Sequence, residues 1–138
     1  MKFNLTRAVG KTIEGEALVS PVPFSARYDL DRVNGVISRI GHPLQGESIK
    51  GKIFLAPGVQ GGVAAGWALL AMEARGVGFA GLVFGDTNPV MVQGAVTAGI
   101  PIASGLALEA FEQIKTGDYI SLDPSTMELT VLESFRVE

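Results

Sequence analysis

Ile53-Phe54-Leu55-Ala56-Pro57-Gly58-Val59-Gln60-Gly61-Gly62-Val63-Ala64-Ala65-Gly66-Trp67 is the stretch on which the fold turns. Lys52 to Ala56 is a short β-favouring run, and Pro57 with the glycines Gly58 to Gly62 makes a turn. Val63 to Arg75 then carries alanine, leucine, Trp67 and Met72 on nearly every face, the pattern of a buried helix. Strand, glycine loop and buried helix together form an αβ unit, in which Trp67 and Met72 are expected in the core.

Downstream the same logic repeats. Ala80 to Phe84 is an apolar run suited to a strand covered on both faces, and Gly85-Asp86-Thr87-Asn88-Pro89 is a loop with a helix-start signal. Val90 to Ala98 predicts a short helix, Ile100 to Ala103 a strand, and Leu106 to Lys115 a third helix stopped by Gly117. Tyr119 to Leu122 and Glu128 to Leu132 form a hairpin across Asp123-Pro124-Ser125-Thr126. Upstream, β-favouring runs at Phe3 to Val9, Ala17 to Ser20 and Val36 to Ile40 alternate with turn residues such as Asn34-Gly35 and Gly41-His42-Pro43. This half reads as a sheet or partly closed barrel. The expectation is one domain over residues 1–138, of α/β class and β/β/α layering, with a β-rich N-terminal half and short αβ units in the second half.

Composition narrows the chemistry. The 138 residues contain no cysteine and a single histidine, His42. Thiolate chemistry, a chain-borne iron–sulfur cluster, a Cys-rich zinc site and a multi-histidine metal site are therefore excluded. A chain of this size buries about 68–70% of its unfolded surface, so it supports a core without such staples. Residues 1–56 carry eight Lys/Arg against five Asp/Glu, and residues 57–138 carry three against nine, for a net charge of −3. An acidic chain with scattered cations is a poor nucleic-acid binder. Two charge-free stretches, Ile53 to Met72 and Thr87 to Leu108, are interrupted by proline and several glycines, which argues against membrane spans. Met1 to Leu5 lacks the apolar run of a signal peptide, so a cytoplasmic location is expected.

Several residues have chemistry to offer. The loop Gly58 to Gly62 precedes a helix, where backbone N–H groups bind anions; a tight packing turn explains the same residues, and the spacing fits neither the dinucleotide nor the P-loop pattern. His42 is a general acid or base, or a turn histidine. Arg27, Arg32 and Arg39 flank the Asn34-Gly35 turn and suit a carboxylate or phosphate clamp, or are solvated strand-edge arginines. Asp86, Thr87 and Asn88 follow a buried strand, where ligands bind in α/β sheets, but helix capping accounts for them.

Taken in order, several blocks resemble one family. They are Gly15-Glu16-Ala17-Leu18-Val19-Ser20, Pro23-Phe24-Ser25, Asp31 with Asn34-Gly35-Val36-Ile37, His42-Pro43-Leu44-Gln45-Gly46-Glu47-Ser48 and Gly51-Lys52-Ile53. The glycine loop and Ala95 with Ala98-Gly99-Ile100-Pro101 follow. Over nearly its whole length the chain resembles the small, swivelling domain of aconitase X-type hydro-lyases. The resemblance implies a domain that closes over a large subunit carrying an iron or iron–sulfur centre, the pair dehydrating a small hydroxy acid, with a hydroxyproline and a phosphorylated mevalonate among family substrates. It also implies a catalytic serine in the glycine loop, but that position falls on Gly61 and a second loop serine falls on Ala65. Ala26-Arg27-Tyr28-Asp29 stands where the family tends to have an aromatic pair and two glycines, and Arg39 where an acidic residue is common.

The expected function is thus the small subunit of an aconitase X-like dehydratase, with no cofactor of its own and a large metal-bearing partner. Ser25 and Tyr28 are the proton-transfer candidates. Arg27, Arg39, His42, Gly58, Gly61 and Gly62 are the candidates for holding a carboxylate-containing substrate. The rival from another class is a diverged, non-catalytic module that binds a small organic anion or a partner protein. A phosphotransfer swivelling domain ranks last, since His42 lies in a turn after a strand rather than at a helix start.

Overall fold

The computed structural model describes residues 1–26, 28–60 and 64–134. In chain order come β1 (Lys2–Asn4), β2 (Arg7–Val9), β3 (Ile13–Val19), β4 (Phe24–Ser25), β5 (Leu30–Asp31), β6 (Val36–Ile37), β7 (Ile53–Ala56) and β8 (Val59–Gln60). They are followed by α1 (Ala64–Ala74), β9 (Gly81–Phe84), α2 (Pro89–Ala98), β10 (Ile102–Ser104), α3 (Ala110–Gln113), β11 (Tyr119–Asp123) and β12 (Glu128–Glu133). The domain is α/β.

Its main sheet has the order β1-β12-β11-β3-β7-β9-β10-β2. The centre, β3-β7-β9-β10, is parallel, and antiparallel strands flank it on both sides. Alternation of side chains makes two cores. Leu18, Phe54, Leu82, Phe84 and Ile102 face α1 and α2, where Leu69, Met72, Met91 and Ala95 meet them. Ala17, Ile53, Leu55, Val83 and Ala103 face the other way, toward Leu5, Ala110, Ile114, Ile120, Leu122 and Leu129. Strands covered on both faces carry no polar alternation, which is why β7 and β9 are continuous apolar runs. In the first core Phe24 contacts three rings, with centroids 5.0 Å from Phe54, 5.7 Å from Phe79 and 6.3 Å from Phe84.

The first and last strands of the sheet order are neighbours in sequence: only Leu5 and Thr6 separate β1 from β2. The Leu5 N–H donates to Met127 O at 2.8 Å and the Thr6 N–H to Ser104 O at 3.0 Å, so the two residues clasp both edges. The sheet curls around the second core, with the three-residue strands β1 and β2 as its two short edges. This explains one departure from expectation. The run Phe3 to Val9 is not one strand, because its two halves serve opposite edges and Leu5, 6% exposed, turns inward between them.

Three further expectations change. The run Val36 to Ile40 contracts to β6, whose antiparallel pairing with β5 runs out after the Ser38 N–H bond to Asp29 O at 2.8 Å. The third helix shrinks to α3. Ala110, Phe111 and Glu112 bond back only three residues, to Ala107, Leu108 and Glu109, in tight turns that need only Leu106, Ala110 and Ile114 as anchors. Trp67 is not in the core: it is 72% exposed, because among its described side chains α1 buries Ala68, Leu69 and Met72 on the opposite face.

Candidate functional site

Two short strands outside the main sheet set the site. After β7, Pro57 and Gly58 lead into β8, which pairs in parallel with β4 so that Phe24 faces Val59 and Ser25 faces Gln60. The Phe24 N–H donates to Gly58 O at 2.9 Å. Ser25, from one sequence block, is thereby held at the entry to the glycine loop of another. Gly61 and Gly62 lie outside the described residues, as does Arg27.

The turn after β4 is built on Asp29, whose side chain is fully buried. Its Oδ2 accepts the Ser25 N–H at 2.9 Å, and the Asp29 N–H returns to Ser25 O at 2.9 Å. Its Oδ1 accepts from Arg39 at 3.3 Å. Ser25 Oγ, also buried, accepts the Tyr28 N–H at 3.4 Å. Tyr28 itself is 64% exposed, at the rim. Arg39 is therefore not a free strand-edge arginine. One edge of its fork is used by Asp29, and its half-exposed side chain leaves other donors facing solvent.

His42 is a buried turn histidine. Its Nδ1 accepts the Leu44 N–H at 3.0 Å, which puts the proton of the neutral ring on Nε2. That Nε2 lies 3.8 Å from Asp29 Oδ2, beyond hydrogen-bond range, and has no hydrogen-bond partner among the described residues. With its side chain 2% exposed, the ring reaches no external phosphate donor, which removes the phosphotransfer reading. His42 supports the loop beneath Asp29 rather than lining an open site.

Gly58 has room for a Cβ, with nothing nearer than Asp86 O at 3.9 Å, so sterics do not require glycine there. The close approach is at Gly85, where a Cβ would meet Pro57 O at 2.7 Å. The loops after β7 and β9 therefore touch through backbone. Asn88 caps α2, its Oδ1 accepting the Met91 N–H at 2.9 Å, as the capping reading of Asp86 to Asn88 expects. Beside it opens a pocket of about 710 Å³ between this loop, α2 and the β10–β2 edge, lined by Arg7, Asp86, Thr87, Gln93 and Ser104 among others.

Sequence reasoning brought Ser25, Tyr28 and Arg39 to the same neighbourhood, because they belong to neighbouring turns. It missed Asp29, which carries the turn, and Arg7, whose place in the pocket depends on β2 pairing with β10. The short spacing from Ser25 to Asp29 was the available signal, an aspartate able to accept backbone N–H groups of its own turn. Among the described residues no three His, Asp or Glu side chains converge as a metal site, and no helix is long and apolar enough to cross a membrane.

Comparison with known proteins adds the family. The aconitase X swivel domain family matches residues 2–131. The phosphomevalonate dehydratase small subunit of Methanocaldococcus jannaschii is 34% identical over 127 residues, covering 91% of this chain and 95% of that protein. The protein of the same name from Thermococcus gammatolerans is 28% identical over 133 residues, 96% of this chain and 99% of that one. A chain in the crystal structure of Thermococcus kodakaraensis aconitase X, holo-form, superposes with a TM-score of 0.88 at 26% identity, covering 96% of this chain and 99% of that chain.

Proposed function

Since this chain belongs to the aconitase X swivel-domain family and is a dehydratase small subunit, we propose that it works with a separate large chain to dehydrate a small hydroxy acid, a phosphorylated mevalonate being the first substrate to test. The relatives' name supplies that substrate. What supports the reading from this chain's own residues is the register of Ser25 against Gln60, which holds a hydroxyl-bearing turn at the mouth of the glycine loop.

Dehydration of a hydroxy acid removes a carbon-bound proton to a base, breaks the carbon–oxygen bond, and releases the hydroxyl as water after it gains a proton. A carboxylate next to the carbon that loses its proton must be held while charge builds on it. In this proposal the outward donors of Arg39 hold the carboxylate, with Asp29 fixing the guanidinium from behind. Tyr28, exposed at the rim, is positioned to meet substrate presented by another chain, and the buried Ser25 hydroxyl lies one turn beneath it. With Gly61 at the position implied for the family's serine, these two hydroxyls are the proton-transfer groups proposed for this chain.

The metal centre that the resemblance implies does not fit here. The chain has no cysteine, and among the described residues no carboxylate–histidine cluster stands in for one. Iron or an iron–sulfur cluster is assigned by this proposal to the large subunit, and no step in this chain is routed through it.

The test is reconstitution. The chain co-expressed with its cognate large subunit should co-purify and convert phosphomevalonate to a product lighter by one water, measured by mass spectrometry. A large subunit that turns over at full rate without this chain sinks the proposal. The rival binding-module reading rests on the same Gly61: there the complex forms but turnover does not depend on Tyr28 or Ser25. Gly61→Ser separates the two, since a large gain in turnover marks a decayed base position.

A further inference from the structure

α1 and α2 carry almost no charge. α1 reads AAGWALLAMEA and α2 reads PVMVQGAVTA, and Glu73 is the one charged residue in either. Helices this apolar belong in an interior, yet here one side of each is uncovered. On α1 the exposed positions Trp67, Leu70, Ala71 and Ala74 recur at the i, i+3, i+4, i+7 spacing of a single stripe. Trp67 is 72% exposed and Leu70 38%. α2 packs beside α1 and exposes Val90 at 37%, while its exposed Gln93, Val96 and Thr97 turn toward the pocket described above.

Charge is distributed the opposite way on the far side of the molecule. β3 exposes Glu14 and Glu16, with Lys52 3.0 Å from Glu16, and the hairpin carries Asp123, Glu128 and Glu133. Depletion of charge around an exposed tryptophan marks the centre of a protein interface, where a charged group would lose its water without gaining a partner. Solvent alone gives no reason for an uncharged stripe of this length, which has Glu73 and Arg75 only at its margins, on one side of an acidic chain. α1 also begins where the glycine loop ends, so whatever covers its first turns also walls the candidate site.

We propose that the outer face of the α1–α2 layer, centred on Trp67 and Leu70, is the docking surface for the large subunit, which meets it with an apolar, uncharged patch. This rests on the reading that the chain works with a separate large subunit. The neutrality of the face selects such a partner over an acidic or basic one, because neither charge finds a complement there.

Trp67 is the only tryptophan in the chain, which makes the test direct. The small chain labelled with 5-fluorotryptophan gives one fluorine resonance, whose sensitivity to exchange of H2O for D2O reports exposure. On addition of the unlabelled cognate large subunit, the resonance should shift and lose that sensitivity. Trp67→Glu and Leu70→Glu should each weaken association at least 100-fold by calorimetry. Leu132→Glu, on the hairpin and 46% exposed, should change it less than twofold. All three sites are on the surface, and circular dichroism verifies folding; should a variant fail to fold, the fluorine experiment on the unaltered sequence decides. A complex that forms with the resonance unmoved and association unaffected by Trp67→Glu overturns the docking face and leaves the dehydratase reading standing. A small chain whose resonance moves with its own concentration alone assigns the face to a second copy and overturns the proposal. Absence of any complex overturns the dehydratase reading and the docking face together.

Discussion

Asp29 Oδ2 accepts the amide of Ser25 at 2.9 Å from a side chain wholly out of solvent, so a buried carboxylate holds the turn that carries both candidate hydroxyls. Arg39 on Oδ1 balances its charge. Removing the carboxylate would strand the Ser25 N–H and release Arg39.

Asp29→Ala is therefore expected to cost roughly 3 kcal/mol, the scale for leaving buried hydrogen-bonding groups of a charged pair without partners. That corresponds to a fall in Tm on the order of 10 °C. Asp29→Asn keeps an acceptor for Ser25 and should cost distinctly less. Urea unfolding of both variants checks this, and a loss under about 1 kcal/mol for the alanine variant contradicts the assignment.

Phe24 joins the site to the core, since it precedes Ser25 and touches three rings. Phe24→Ala should cost about 3–5 kcal/mol, as large-to-small changes at buried aromatics do. It should also lower turnover of the reconstituted complex beyond what the fraction unfolded explains, because β4 loses the packing that sets its register against β8.

Two partly buried aspartates make the stability pH-dependent at the acid end. The side-chain hydrogen bond from Asn34, with the amides of Asn34 and Val33, holds the Asp31 carboxyl below its ordinary range. The Ser125 hydroxyl does the same for Asp123, helped by Thr12. A folded pKa below the unfolded one adds stability that is fully present above the unfolded value, near pH 4, and is lost as pH falls through the folded value. Asp31→Ala should lower stability at pH 7, and the gap to the unaltered protein should narrow by pH 2. A gap constant across that range in parallel urea titrations would contradict the hydrogen-bonded carboxylate.

Gly105, at φ +87°, leaves no room for a side chain: a Cβ there would run into the Thr6 side chain, with Thr6 Cβ only 2.7 Å away. Gly105→Ala should destabilise by about 1–3 kcal/mol through backbone strain and overlap together. Adding Thr6→Gly should recover the overlap but not the strain. If the double variant is no better than the single one, the clash is not the cause.

Much of the fold was legible. β7, β9 and the hairpin β11–β12 lie where expected to within a residue or so, because a strand buried on both faces or bounded by a Pro-Ser-Thr turn announces itself locally. What was illegible depended on distant partners. The break at Leu5 and Thr6 follows from Met127 and Ser104 waiting at opposite edges, and no window of sequence contains them both. Trp67 misled for a related reason: an all-apolar helix is correctly read as a buried one, and this chain covers only one side of it. In the site, Ser25 and Arg39 stood out by type, whereas Asp29 resembled any loop aspartate until the 38–42 segment folded onto it. Arg27, Gly61 and Gly62, also singled out, lie outside the described residues.

The Leu5–Thr6 clasp also sets an order of events. Lys2 pairs with Thr130 and Arg7 with Ser104, so β1 finds its partner only after nearly all the chain has been synthesised, and β2 only after residue 104. Contacts of such long range lower the folding rate through the entropy of the loop they close. During synthesis the residues of β3, β7 and β9 are all made before the partner of β1, so that edge is the part of the sheet whose pairing waits longest.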